Sequence, residues 1–272
     1  MITYRSYIQY CDLWWPNCWL LYVLLSMPSA TAPTSGGWCS GCPEDVPVGW
    51  GGRVRCRLTR GPCRQGLLYA FDRTEAKVAR LAALAEEQGL SCVRALCADS
   101  TRLVSADSPC QLRQRHMTGA PCPLHADGPC RPPFPPDTFD CVLVDAPCSG
   151  LGQRPRLAAP PGPAQRRSYG PLQRRLLAAG ADLLRPGGRL VYSTCTVPPA
   201  ENERQVAGLL AARSQLRLEP AEPRLGGAGL AGHGLDAEQC RRVQRFAPQP
   251  HSDCPDTDTI GFFIACFSKA ES

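Results

Sequence analysis

Short apolar runs, each ending in an acidic residue or a breaker, alternate along this chain with segments of helical period, and few folds accept that order. Leu67-Leu68-Tyr69-Ala70-Phe71 reads as a strand closed by Asp72. Val78, Leu81, Ala82 and Ala85 then recur at helical spacing until Gly89 stops them. Cys92 to Ala98 gives a second strand, closed by Asp99, and Phe139 to Val144 a third. Leu172, Leu176, Leu183 and Leu184 mark a helix that ends at Pro186-Gly187-Gly188. Arg189 to Thr194 is the next strand, Glu201 to Arg213 the helix after it, and Ile260 to Phe267 a last apolar strand. Strands alternating with helices predict an α/β fold: a doubly wound, mostly parallel sheet.

Two cysteines sit where such a sheet collects its chemistry. Cys148 follows the run Val142-Leu143-Val144-Asp145-Ala146-Pro147, and Cys195 follows Leu190-Val191-Tyr192-Ser193-Thr194. Breakers come next in both cases: Gly150 after the first, Pro198-Pro199 after the second. Ligands gather at the carboxyl ends of strands in open α/β sheets, so two thiols there point to covalent chemistry, one attacking and one assisting. The plain alternative is packing, because free cysteine behaves as a small hydrophobe and the chain has 17 of them.

DAPCSG at 145–150 and YSTCT at 192–196, followed by Pro198-Pro199-Ala200-Glu201-Asn202-Glu203, resemble the two signature motifs of the Sun/RsmB/Nop-type RNA cytosine-5 methyltransferases. The similarity runs from about Leu67 to Phe267. It is nearest to the subfamily whose members carry an additional RNA-binding PUA domain and methylate the acceptor end of certain transfer RNAs. The resemblance implies a SAM-methyltransferase (Rossmann-like) fold, S-adenosylmethionine (SAM) as cofactor and RNA, transfer RNA in particular, as partner. It makes Cys195 the nucleophile that adds to carbon 6 of cytosine, so that carbon 5 can attack the sulfonium methyl. It gives Cys148 a part in removing the carbon 5 proton. It sets Asp145 against the base near its ring nitrogen and exocyclic amine, and at the edge of the cofactor site. Asp72 and Asp99 fall on the positions that hold the ribose hydroxyls and the adenine amino group; on residue type alone each could equally cap the helix that follows it. No metal is implied.

Composition is compatible with this and does not establish it. The chain has 272 residues, enough for a sizeable core, and a net charge of +6. Nearly all of its cations are arginines, the lysines being Lys77 and Lys269. Arg154, Arg156, Arg166 and Arg167, with Tyr169 beside them to stack on a base, form one cluster suited to phosphates; Arg241, Arg242 and Arg245 form another.

The first 66 residues depart from the family. Its members carry a loop of the form Asp-x-Cys-x-x-Pro-Gly-Gly-Lys-Thr after the first strand, roughly 20 residues before the ribose carboxylate. That window reads Asp45-Val46-Pro47-Val48-Gly49-Trp50-Gly51-Gly52-Arg53 here, with no convincing strand before it, and Gly61-Pro62 opposes the helix that should follow. The expected organisation is therefore an atypical, poorly ordered segment 1–66 and an incomplete catalytic domain 67–272 that lacks the usual first strand and glycine loop. Residues 107–136, rich in Pro and Cys, and 219–259, rich in Gly and Pro, are expected to be irregular. The apolar run Cys18 to Met27 before Ala30-Thr31-Ala32 has the outline of a secretion signal, yet it is short and flanked by Asp12 and Asn17. Cys39 and Cys42 with Cys56 and Cys63 lack the spacing of a zinc ribbon. A monomer in the cytoplasm, with the nucleus as alternative, is expected, without membrane attachment. SAM binding without the glycine loop is open, so a catalytically impaired RNA-binding relative, or a truncated isoform, that has lost SAM binding stands as the alternative function.

Overall fold

The computed structural model describes residues 67–90, 93–112, 129–155, 159–247 and 259–271, together with the backbone of 20–25. One eight-stranded sheet runs through them: β1 (Leu20–Leu25), β2 (Leu67–Asp72), β3 (Val93–Cys97), β4 (Phe139–Asp145), β5 (Leu184–Thr194), β6 (Leu216–Glu219), β7 (Gln244–Phe246) and β8 (Phe262–Lys269). The order is β3-β2-β1-β4-β5-β8-β6, with β7 paired to β8. Helices α1 (Glu75–Glu87), α2 (Pro163–Leu183), α3 (Glu203–Ala212) and α4 (Ala237–Arg242) connect them.

The predicted alternation is present, in a mixed sheet. β2 with β3 and β4 with β5 pair in parallel, while β1 and β8 run against their neighbours. β1 occupies the central slot that the sequence leaves vacant. Leu20 pairs with Asp145 on one side and Leu25 with Leu67 on the other, so β1 traverses the sheet in the reverse of its neighbours' direction. Its residues are the apolar run that outlined a secretion signal. A six-residue run of leucine, tyrosine and valine meets the needs of a strand enclosed on both sides.

Alternation along β4 sets the two faces. Val142 and Val144 are buried under α2, whereas Cys141, Leu143 and Asp145 point the other way and are half-buried. Helix α2 starts with Pro163 in its first turn, a position where the missing N–H costs nothing. It lies close to the sheet at Gly180, where an added Cβ would sit 3.0 Å from Val144 Cγ2 and from Leu190 Cδ1. Tyr69, Phe71, Phe134 and Phe139 form an edge-to-face aromatic cluster at one end of the core.

Four local expectations change. Pro186-Gly187-Gly188 does not end the helix before a separate strand: β5 starts at Leu184, and the register against β4 slips between Phe139 and Cys141, which makes Arg185 to Gly188 a bulge with Gly187 at φ 70°. On α1, Ala85 is buried but Ala82 is exposed. The ends of the 107–136 segment belong to the core, with Cys110, Leu112, Cys130 and Phe134 buried and Val104 bridged to Phe134. The 219–259 stretch contains α4 and β7, and Asp236 and Gln239 close a capping box on α4. Arg156, residues 26–66 (the glycine window and the Cys39, Cys42, Cys56 and Cys63 group among them) and Cys122 lie outside the described residues.

Candidate active site

Asp72, Asp99, Asp145 and Cys195 all emerge at one edge of the sheet, because β2, β3, β4 and β5 run the same way. Asp145 is level with Ser193 on β5 and with Leu20 on β1. Leu21 opposite Phe71 puts Asp72 level with Leu20 on the other side, so Asp72 and Asp145 stand two strand spacings apart, about 10 Å.

The two cysteines meet. Cys148 Sγ and Cys195 Sγ lie 3.3 Å apart, within the range of a sulfur hydrogen bond and without a disulfide. The contact to Cys195, then burial, hold the Cys148 thiol well above the usual thiol range, which keeps it protonated at neutral pH. Proline and glycine on either side force the turn that brings Cys148 out of β4: Gly150 is at φ 61°, a conformation that favours glycine. On the facing turn, the Cys195 carbonyl accepts a bond from Gly152 N at 3.2 Å.

A buried polar frame fixes the two turns together. Ser149 Oγ and Thr196 Oγ1 are 2.7 Å apart, and Leu151 N donates to Thr196 Oγ1 at 3.2 Å. Glu201 Oε2 accepts from Ser149 N at 2.9 Å and from Gln173 Nε2 at 3.1 Å; Gln173 also donates to the Pro147 carbonyl at 2.8 Å. Tyr192 donates from its hydroxyl to the Glu201 carbonyl at 2.6 Å, and Thr194 from its hydroxyl to Asn202 Oδ1 at 2.6 Å. Sequence reasoning noted Thr196, Glu201 and Asn202 only as parts of motifs and passed over Gln173. Two polar residues one position past a Pro-Pro pair were the available signal; Gln173, on a helix whose other buried residues carry no charged or amide side chain, gave none.

The three carboxylates differ in their commitments. Asp145 Oδ1 accepts from Ser193 Oγ at 3.0 Å. Asp99 Oδ1 accepts from the Thr101 hydroxyl at 2.7 Å and from Thr101 N at 2.9 Å, and the hydroxyl bond above all lowers its pKa. It caps the short 3₁₀ turn Ser100–Arg102, which is the structural role weighed against cofactor binding. Asp72 is buried; its Oδ1 accepts from Thr74 N at 2.7 Å, its Oδ2 has no hydrogen-bond donor among the described residues, and Lys77 Nζ stands 3.8 Å away.

A buried carboxylate oxygen that takes no hydrogen bond from the described residues suits a ribose hydroxyl, so the nucleoside half of SAM fits this edge. Among the described residues no glycine turn stands at this edge to cradle the methionine half. A strand-end glycine turn would have to leave the central strand here, but β1 presents its first residue at this edge and its last at the opposite one.

The arginine clusters divide. Arg166, Arg167, Arg174 and Arg175 project from α2 into solvent. Arg245 is committed to Glu203 at 2.9 Å, and Arg241 and Arg242 pair with Glu238, so the second cluster is a structural feature of the fold. Tyr169 is buried, with its hydroxyl accepting from Gln165 Nε2 at 3.1 Å, and is not placed to stack on a base. Among the described residues no group of side chains could hold a metal ion, and no helix is long and apolar enough to cross a membrane.

Residues 59–268 match the family model of the 16S rRNA methyltransferase RsmB/F. The human tRNA (cytosine(72)-C(5))-methyltransferase NSUN6 is 40% identical over 227 residues, which span 76% of this chain and 45% of that protein. The Pyrococcus abyssi tRNA (cytosine(49)-C(5))-methyltransferase is 37% identical over 142 residues, 49% of this chain and 42% of its own length. Of the solved structures, a methyltransferase homologue from Pyrococcus horikoshii superposes with a TM-score of 0.53 at 28% identity, over 76% of this chain and 54% of that one. NSun6 from the same organism, solved with SFG, gives 0.50 at 26%, over 77% and 43%. The chain spans about half the length of the curated relatives it matches. With the strand order, the paired strand-end cysteines and a family match over most of its length, this chain belongs to the RsmB/F methyltransferase family.

Proposed function

We propose that this chain is the catalytic part of a SAM-dependent RNA (cytosine-5) methyltransferase acting on transfer RNA. The single observation that carries the proposal is the 3.3 Å approach of Cys148 and Cys195 beside Asp145 at the carboxyl edge of the sheet. When bound, SAM supplies an electrophilic methyl group. The protein's own part is to activate the base. Cys195 Sγ adds as thiolate to carbon 6 of a cytosine that has been turned out of its stack, and electron density passes to carbon 5. Asp145, oriented by the Ser193 hydroxyl, holds the base edge. After carbon 5 is methylated, Cys148 assists loss of its proton and Cys195 leaves carbon 6. Two relatives are named for methylation of transfer-RNA cytosines, which supports that substrate class. A cytoplasmic monomer is the accompanying expectation.

Cys195→Ala abolishes methylation of transfer RNA, and Cys148→Ala leaves a covalent protein–RNA adduct that survives denaturing electrophoresis. Unchanged turnover in Cys195→Ala overturns the proposal. A second reading, an RNA-binding relative that no longer takes SAM, is favoured by one observation, the reversed β1 in the central slot. Calorimetry separates the two: no heat with SAM at millimolar concentration, with RNA binding intact, selects the second.

A further inference from the structure

Glu201 is a carboxylate with a polar task inside the protein. It is 4% exposed, and among the described residues no cation pairs with it. Its hydrogen bonds come from Ser149 N, one residue past Cys148, and from Gln173 Nε2 on α2. Its own backbone is pinned by the Tyr192 hydroxyl from β5. A buried carboxylate without a counter-ion is costly, so its place between two cysteine turns calls for a use. We infer that Glu201 is a positioning residue of the thiol pair, tying the Cys148 turn to α2 and β5.

The charges that act on Cys148 come from Cys195 and from Glu201, with Asp145 beside the pair. Cys195 and Tyr192 face it from β5, Tyr169 and Gln173 from α2, Gly150 from its own turn, and Glu201 from the approach to α3. Both tyrosines are neutral at working pH, held above their usual range by burial. The Cys195 contact and burial disfavour a Cys148 thiolate most, and the Glu201 charge adds to them.

The inference rests on the pair being the covalent centre, but its test needs no methyl transfer. Alkylation of Cys148 and Cys195 by iodoacetamide, resolved by peptide mass spectrometry, is followed against pH in the purified full chain. In Glu201→Gln, Cys148 alkylation at fixed pH rises about three- to tenfold, because a thiolate forms more readily. Glu201→Asp, which keeps the charge, stays near the parent. Gln173→Met strips a donor from the carboxylate and leaves the charge less screened, so Cys148 alkylation slows. Opposite signs in Glu201→Gln and Gln173→Met mark electrostatics, whereas a loosened turn moves both the same way. An unchanged Cys148 profile in Glu201→Gln, or faster alkylation in both variants, overturns the inference. Should Glu201→Gln lose its cooperative unfolding transition, Gln173→Met decides alone: slower alkylation supports, unchanged or faster refutes. Failure of the parent to methylate RNA counts against the proposed function and leaves this result standing.

Discussion

The close approach of Gly152 to Gly261 gives a sharp test of how the cysteine turns are held. A Cβ on Gly152 would lie 2.1 Å from the Gly261 carbonyl oxygen and 2.6 Å from its Cα. Both are backbone atoms, so no side chain can swing aside, and the turn must retreat by about 1.2 Å to reach an ordinary carbon–oxygen separation. That retreat strains two hydrogen bonds, Gly261 N to Gly152 O at 2.7 Å and Gly152 N to the Cys195 carbonyl at 3.2 Å. At about 1 kcal/mol each, plus about 1 kcal/mol for a polar group left buried and unpaired, the folded state loses about 3 kcal/mol. Alanine also restricts the unfolded chain, returning about 0.7 kcal/mol, so the net destabilisation is about 2 kcal/mol. For a protein of this size that lowers Tm by about 4–8 °C. Gly208 on α3 is the control: it is exposed, nothing lies within 4 Å of an added Cβ, and Gly208→Ala is expected to raise stability by about 0.5–1 kcal/mol. Thermal unfolding followed by far-UV circular dichroism reads both. A Gly152→Ala Tm within about 1 °C of the parent would refute the reasoning, since it requires the two turns to part without cost.

Three other perturbations test separate features. Joint replacement of Arg166, Arg167 and Arg174 by Glu weakens RNA binding and flattens its salt dependence by about one unit of slope for each phosphate that is no longer neutralised, measured by fluorescence anisotropy; Arg241→Glu, whose partner is Glu238, changes that slope little. If only the nucleoside half of SAM is held, adenosine and SAM bind within about threefold of each other by calorimetry, and Asp72→Ala removes both; SAM binding far tighter than adenosine shows that a methionine cradle exists. Arg245→Met leaves the fully buried Glu203 carboxylate without its cation and costs about 3–5 kcal/mol in chemical denaturation; a loss below about 1 kcal/mol contradicts the burial of that pair.

Legibility in the sequence followed the range of the interactions involved. The strand-end positions of Asp72, Asp99, Asp145, Cys148 and Cys195 could be read because period, breakers and short motifs are local. The Pro186-Gly187-Gly188 bulge could not, since a bulge is defined by the partner strand's register. The 219–259 stretch reads as irregular because its elements are short: α4 has six residues and β7 three, too few to show a period. Arg245 reads as part of an exposed basic cluster because its partner, Glu203, lies 42 residues earlier in the chain and only folding brings the two together.

The sequence by itself determined the fold class and the edge at which the chemistry gathers, through alternating periods and two cysteine motifs. Only the tertiary structure decided three further matters. It brought Cys148 and Cys195, 47 residues apart, to 3.3 Å. It assigned Glu201 and Gln173 to the frame behind them. It filled the central slot with Leu20–Leu25 in reverse. An apolar run of six residues satisfies a central strand in either direction, since β pairing and burial are available to both, and the sequence pattern carries no sign for that choice. The direction decides which end of β1 lies at the site edge.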